Sequence, residues 1–135
     1  MFIISLAKSK GLNNDYFLGI QVDTLCSLGA KDSYKLYNGQ IFRFLTPMVL
    51  HVGFLHILQN SIFQLIIGSF FEIIVGPLRF LGIYVVSGIG GILMTALIND
   101  KISVGASTAL FGVTGGLLAF IIVNWLALES LKEIR

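Results

Sequence analysis

Residues 44–71 read FLTPMVLHVGFLHILQNSIFQLIIGSFF and hold no Lys, Arg, Asp or Glu. A helix crosses a bilayer core with about 20 consecutive apolar residues, and this run exceeds that. Pro47 lies near its start, where proline opens or breaks a helix rather than continuing it. The predicted spanning helix therefore covers about 54–74, with Glu72 near one end. Two further uncharged stretches follow: 80–99, between Arg79 and Asp100, and 102–128, between Lys101 and Glu129. They predict spanning helices over 79–98 and 105–128. Gly76-Pro77 and Asn99-Asp100-Lys101 supply the short connections. Backbone at membrane depth has to satisfy its own hydrogen bonds, so the three segments are expected to be antiparallel helices.

The composition agrees. Of 135 residues, 56% are hydrophobic and 12% charged, with a mean hydropathy of +0.89. Soluble domains carry about a quarter charged residues, so a water-soluble fold is excluded. A net charge of +2 without a Lys/Arg cluster excludes a nucleic-acid partner. Cys26 is the single cysteine, which rules out an internal disulfide and any cysteine-based metal spacing. No metal or organic cofactor is implied. Residues 1–40 mix Asn13, Asn14, Asp15, Asp23, Lys31, Asp32 and Lys35 with scattered apolar residues and show no helical period. They read as loop with short irregular or amphipathic pieces. Their apolar start is too short for a signal h-region, and its lysines follow rather than precede it, so no cleavable targeting peptide is expected. The fold class is an all-α, multi-pass helical membrane protein: an amino-terminal segment over 1–40 and a transmembrane core over 41–135. Lysines and arginines fall on both sides of the helices, so charge does not set the orientation.

The first predicted helix is unusual for a simple anchor. His56, Gln59, Asn60, Ser61 and Gln64 lie within it, and polar side chains in a membrane face a bundle interior or a water-filled cavity. His56 and Asn60 share a helical face. Interhelical hydrogen bonding is the commoner use of such residues. The third predicted helix opens with Ser103-Val104-Gly105-Ala106-Ser107-Thr108. Small residues expose the Ser107 hydroxyl, and the free N–H groups of a helix start can stabilise a developing oxyanion. Small residues around a serine are equally ordinary packing units in membrane helices.

Taken together, the motifs run in a particular order. Gly39-Gln40-x-x-Arg43-x-x-Thr46-Pro47 comes first, then His51-x-x-x-x-His56-x-x-x-Asn60 and Glu72-x-x-x-Gly76-Pro77-Leu78-Arg79. Ser87-Gly88-x-Gly90-Gly91 follows, then Gly105-Ala106-Ser107 with Phe111-Gly112. Over about residues 17–126 this resembles the rhomboid family of intramembrane serine proteases. The resemblance implies a rhomboid-like bundle, here incomplete, carrying helices two to four of a six-helix core. It implies that Ser107 is the nucleophile, that Gly105 is the glycine of the G-x-S motif, and that His56 and Asn60 stabilise the oxyanion with the Ser107 N–H. Supporting positions are His51, Arg43 in the loop that packs at the membrane surface, and Phe111, whose ring the family sets against the catalytic histidine. Two departures stand out: Phe42-Arg43 replaces the usual Trp-Arg pair, and Thr108 stands where many members have glycine.

A serine needs a base. The family's base is a histidine on the sixth helix, and this sequence holds only His51 and His56. The reading is thus a rhomboid-type serine endopeptidase acting on transmembrane protein substrates, inactive as this chain. The alternative is a non-catalytic rhomboid-like membrane protein that binds other membrane helices. A Ser–Lys dyad through Lys101 has no geometric motive, and a transporter fragment leaves Gly105-Ala106-Ser107 unexplained. Finally, Gly112 with Gly116, and Gly115 with Ala119, form small-x-x-x-small patterns. The family packs this face on its sixth helix, so a groove open to lipid is expected, prone to self-association or to capture of a partner helix. The alternative is closure on the second helix through Ser87, Gly88, Gly90 and Gly91.

Overall fold

In the computed structural model, residues 1–125 and 129 are described. The first forty residues contain three short helices, α1 (Phe2–Lys8), α2 (Val22–Leu28) and α3 (Ser33–Tyr37). A minimal hairpin, β1 (Leu12–Asn13) against β2 (Gly19–Ile20), separates α1 from α2. Helices this short are unstable alone and depend on packing. Ile20, Leu25, Ala30 and Leu50 form a buried cluster, with Phe2 and Leu6 against it. The Asp32 carboxylate caps α3 by accepting the Lys35 N–H at 3.1 Å. α1 and α2 pack on this cluster while Leu36 of α3 joins a separate one with Met48 and Ile92, so no single period runs through the segment.

Two 3-10 turns, Ile41–Phe44 and Thr46–Val49, lead to an extended Gly53. There α4 (Phe54–Phe63) begins and continues through one π-helical turn, Gln64–Gly68, into α5 (Ser69–Val75). Together they make one continuous apolar helix, Phe54–Val75, of 22 residues, matching the span expected at 54–74. The chain reverses at Gly76, whose φ of +84° suits glycine, and Pro77 occupies the first turn of α6 (Pro77–Ile98), where no donor is lost. The last described helix is α7 (Ser107–Val123).

Two helices reach spanning length among the described residues, not the three expected; α7 is apolar but 17 residues long there. Residues 126–128 of the expected third helix lie outside the described residues.

The α6–α7 pair forms the centre of the core. A Cβ added to Gly91 would lie 2.8 Å from Thr108 Cβ, and one added to Gly88 would lie 3.3 Å from Ala109 Cβ. Gly112 sits directly on the Ser87 side chain, and a Cβ on Gly116 would meet the Phe71 ring at 3.1 Å and Ile83 at 3.6 Å. These pairs run in opposite senses along the two helices, so α6 and α7 are antiparallel. The Ser87 hydroxyl bridges them, donating within α6 to Ile83 and reaching the Ala109 carbonyl at 3.4 Å.

This contact corrects the expectation of an open Gly112/Gly116 groove. The small residues of α6 close it, with Phe71 of α5 covering Gly116. Close van der Waals packing is the main attraction between helices in lipid, so two small surfaces in one chain satisfy each other. Self-association through Gly112 and Gly116 loses its basis. Of the three α7 glycines, Gly115 on the exposed side has open space beside it, and on α6 Gly90 likewise takes no part in the contact.

Candidate active site

Helical spacing assembles the site. On α4, residues 56, 59, 60 and 63 are spaced i, i+3, i+4, i+7 and share one face. On α7, residues 107, 110 and 111 do the same over the first turns. His56, Gln59, Asn60 and Phe63 thereby meet Ser107, Leu110 and Phe111 around one cleft of about 270 Å³. His56, Asn60 and Ser107, the three residues the sequence motifs mark, all border this cleft.

Gly105 fixes the approach of the two helices. Its φ is +126°, a conformation that side chains resist, and its N–H donates to the Pro47 carbonyl at 2.8 Å. A Cβ there would stand 2.7 Å from Cε1 and 2.9 Å from Nε2 of His56. The absent side chain is the space in which the His56 ring sits. Two residues on, Ser107 opens α7, and no side chain caps that end. First-turn N–H groups left uncapped are donors available to an anionic oxygen.

Asn60 is 8% exposed, and its amide Nδ2 donates to the His56 carbonyl at 2.8 Å, tying it to its own helix. His51 is buried beneath His56, the rings edge to face with centroids 5.2 Å apart. Neither His51 ring nitrogen has a hydrogen-bond partner among the described residues. Burial, helped by the neighbouring His56 charge, pushes the His51 pKa down to about 4, so the ring is neutral at physiological pH. His51 therefore shapes the seat of His56 without entering the cleft.

Arg43 lies away from the cleft. It is 4% exposed and donates from Nη1 to the carbonyls of Cys26 (3.0 Å) and Ala30 (2.7 Å), and from Nε to Gln40 Oε1 (2.8 Å). The Phe42 ring lies 5.2 Å from its guanidinium carbon. Its place is a clamp on the amino-terminal cap. Phe111 borders the cleft but is largely exposed. Thr108 packs on Gly91, and its hydroxyl is buried without a partner among the described residues.

Gln59, one of the polar residues that mark the first helix, also lines the cleft, while Phe63 and Leu110 carry no polar signal and are identified only by their spacing from His56 and Ser107. Lys31 was not selected either, and no local pattern marks it. Among the described residues, no three His, Cys, Asp or Glu side chains come together to hold a metal.

The paired-helix core thus carries Ser107 at a helix start, with His56 and Asn60 lining the same cleft. The Rhomboid domain family model matches residues 38–134, and the chain belongs to the rhomboid family of integral membrane proteins. It is 37% identical over 122 residues to RHOMBOID-like protein 5 of Arabidopsis thaliana, covering 88% of this chain and 40% of that protein. It is 42% identical over 136 residues to Rhomboid-like protease 3 of Toxoplasma gondii, covering 99% of this chain and 49% of that one. Against Rhomboid protease GluP of Bacillus subtilis (strain 168) the identity is 37% over 102 residues, 76% of this chain and 20% of the relative. The chain thus spans half or less of the length of these relatives. No solved structure matches it.

Proposed function

We propose that this chain carries the nucleophile half of a rhomboid-type serine endopeptidase that cleaves transmembrane segments. The observation that carries the reading is that Ser107, His56 and Asn60 border one cleft at the start of α7. In this reading the Ser107 hydroxyl oxygen attacks the scissile carbonyl carbon of a substrate helix. The negative charge that develops on the carbonyl oxygen is met by the Ser107 N–H and by the His56 and Asn60 side chains. The tetrahedral adduct collapses to an acyl-serine as the amine leaves, and water then releases the acid. Asn60 has to release its bond to the His56 carbonyl, or share it, to contribute.

The serine proton requires an acceptor. His56 sits on the oxyanion side and His51 is buried behind it, so neither is assigned that role. We read the base as lying outside this chain, which makes the 135-residue chain inactive by itself. The second reading is a non-catalytic rhomboid-like protein that binds other membrane helices.

The experiment is a chimera in which this chain replaces the matching part of the Toxoplasma gondii relative. Incubated in detergent with a model transmembrane substrate, the chimera is expected to release product, and Ser107→Ala to abolish it. The chain alone is expected to give none. A folded chimera without Ser107-dependent product rejects the protease reading in favour of the binding one. Ser107-dependent product from the chain alone shows that it holds its own base.

A further inference from the structure

Lys31 lies in the loop between α2 and α3, 68 residues before Asn99, yet it is completely buried. Its Nζ donates to the Asn99 carbonyl at 2.6 Å and to the Lys101 carbonyl at 3.0 Å. Ser33 adds a hydroxyl to the same Asn99 carbonyl at 3.1 Å. The backbones of Lys31 and Ser103 exchange a pair of hydrogen bonds, at 2.9 and 3.2 Å. Asn99 is also where α6 ends. A helix end leaves carbonyls without intrahelical partners, and a cation is the favoured group there.

The segment held this way is the one that feeds the cleft. Two residues beyond Ser103, Gly105 meets the His56 ring, and two beyond that Ser107 opens α7. Gly105 has one further tether, its bond to the Pro47 carbonyl. Without the ammonium, the Lys101 carbonyl would lose its side-chain donor and the Asn99 carbonyl would keep only the Ser33 hydroxyl. Burial lowers the Lys31 pKa, opposed by the charges of Asp100 and Asp32. Burying an ammonium is costly unless it is hydrogen-bonded, and a methionine or leucine would fill the same space more cheaply. What the lysine adds is donors aimed at main chain.

We propose that Lys31 is a positioning residue: its ammonium holds the 99–103 connection on the path that sets Gly105 against His56 and Ser107 at the mouth of the cleft. The inference rests on the reading of Ser107 and His56 given above. Its test does not require catalysis, so the two can fail separately.

The test uses the whole chain in lipid nanodiscs, with Lys31→Met, which keeps the stem and removes the donors, and Lys31→Arg, which keeps donors. Amide hydrogen exchange and the His56 Cε1–H resonance are recorded for each. Lys31→Met is expected to speed exchange of residues 99–106 about tenfold, as lost charge-assisted bonds imply. It is also expected to shift the His56 signal while Ile92 and Val113 keep their protection. Lys31→Arg is expected to stay closer to the parent on both counts. Unchanged exchange over 99–106 overturns the proposal. So does a loosened loop with an unmoved His56 signal, which reduces Lys31 to a structural tie. If Lys31→Met does not fold, Ser33→Ala removes a single donor from Asn99. It is expected to loosen the same residues less, and no change there overturns the proposal equally.

Discussion

Gly105 and His56 are matched by subtraction: the side chain that position 105 lacks is the volume the His56 ring occupies. An added Cβ would lie 2.7 Å from Cε1 of that ring. The positive φ of Gly105 sets a second, independent barrier to any other residue.

Gly105→Ala is therefore expected to cost roughly 2–4 kcal/mol, combining backbone strain with a clash against a packed ring. Gly39→Ala carries the backbone term alone, since φ is +86° but the space beside it is open. Gly82→Ala, inside α6 with open space, is expected to be neutral or mildly stabilising. Thermal unfolding in one detergent should rank the three in that order. Equal losses for Gly105→Ala and Gly39→Ala would remove His56 from the explanation.

Gly112→Leu should separate α7 from α6, because Gly112 rests on Ser87. Gly115→Leu should be tolerated, because nothing stands near Gly115. Expected outcomes are a loss of several degrees in the unfolding temperature for the first and little change for the second. Single-molecule counting in bilayers should find no oligomer that Gly112→Leu disperses.

His51 makes stability depend on pH. Its folded pKa is about 4 against an ordinary value near 6.5, so between these the unfolded chain binds more protons. Stability is complete above about pH 6.5 and falls as pH drops toward 4, by up to about 3 kcal/mol. His51→Phe should make the slope across this window shallower in denaturation curves measured from pH 7 to 4. An unchanged slope would mean that another group titrates there.

Arg43→Met removes the donor of the Ala30 carbonyl and of the Gln40 side chain and leaves the Cys26 carbonyl with the Gly29 N–H alone. A loss of roughly 2–4 kcal/mol is expected. Arg43→Lys should recover only part of it, since one ammonium lacks the guanidinium fork that reaches both sides. Because Arg43 does not border the cleft, the His56 resonance should stay in place in any folded Arg43 variant.

Much of this was legible in the residue order. Uncharged runs placed the first helix at 54–74 and the second at 79–98, against Phe54–Val75 and Pro77–Ile98 in the structure. Four-residue spacing aimed His56 and Asn60 together, and both reach the cleft with Ser107. Local periodicity reports what one helix presents on one face, and that was sufficient there. It could not say which small-residue surface meets which. Gly112 and Ser87 carry the same signal as an unpaired groove, and their contact depends on the rotation of α6 against α7.

By itself, then, the sequence determined the medium, the two spanning helices and the face shared by His56 and Asn60, because hydropathy and period are local properties of the chain. Only the tertiary structure decided that Lys31 ties off α6 from 68 residues away and that Ser87 closes on Gly112. It alone decided that the His56 ring fills the place of a missing side chain at Gly105. Those are contacts between distant segments, set by how helices pack, and packing chooses among many pairings that one chain's periodicity leaves equal.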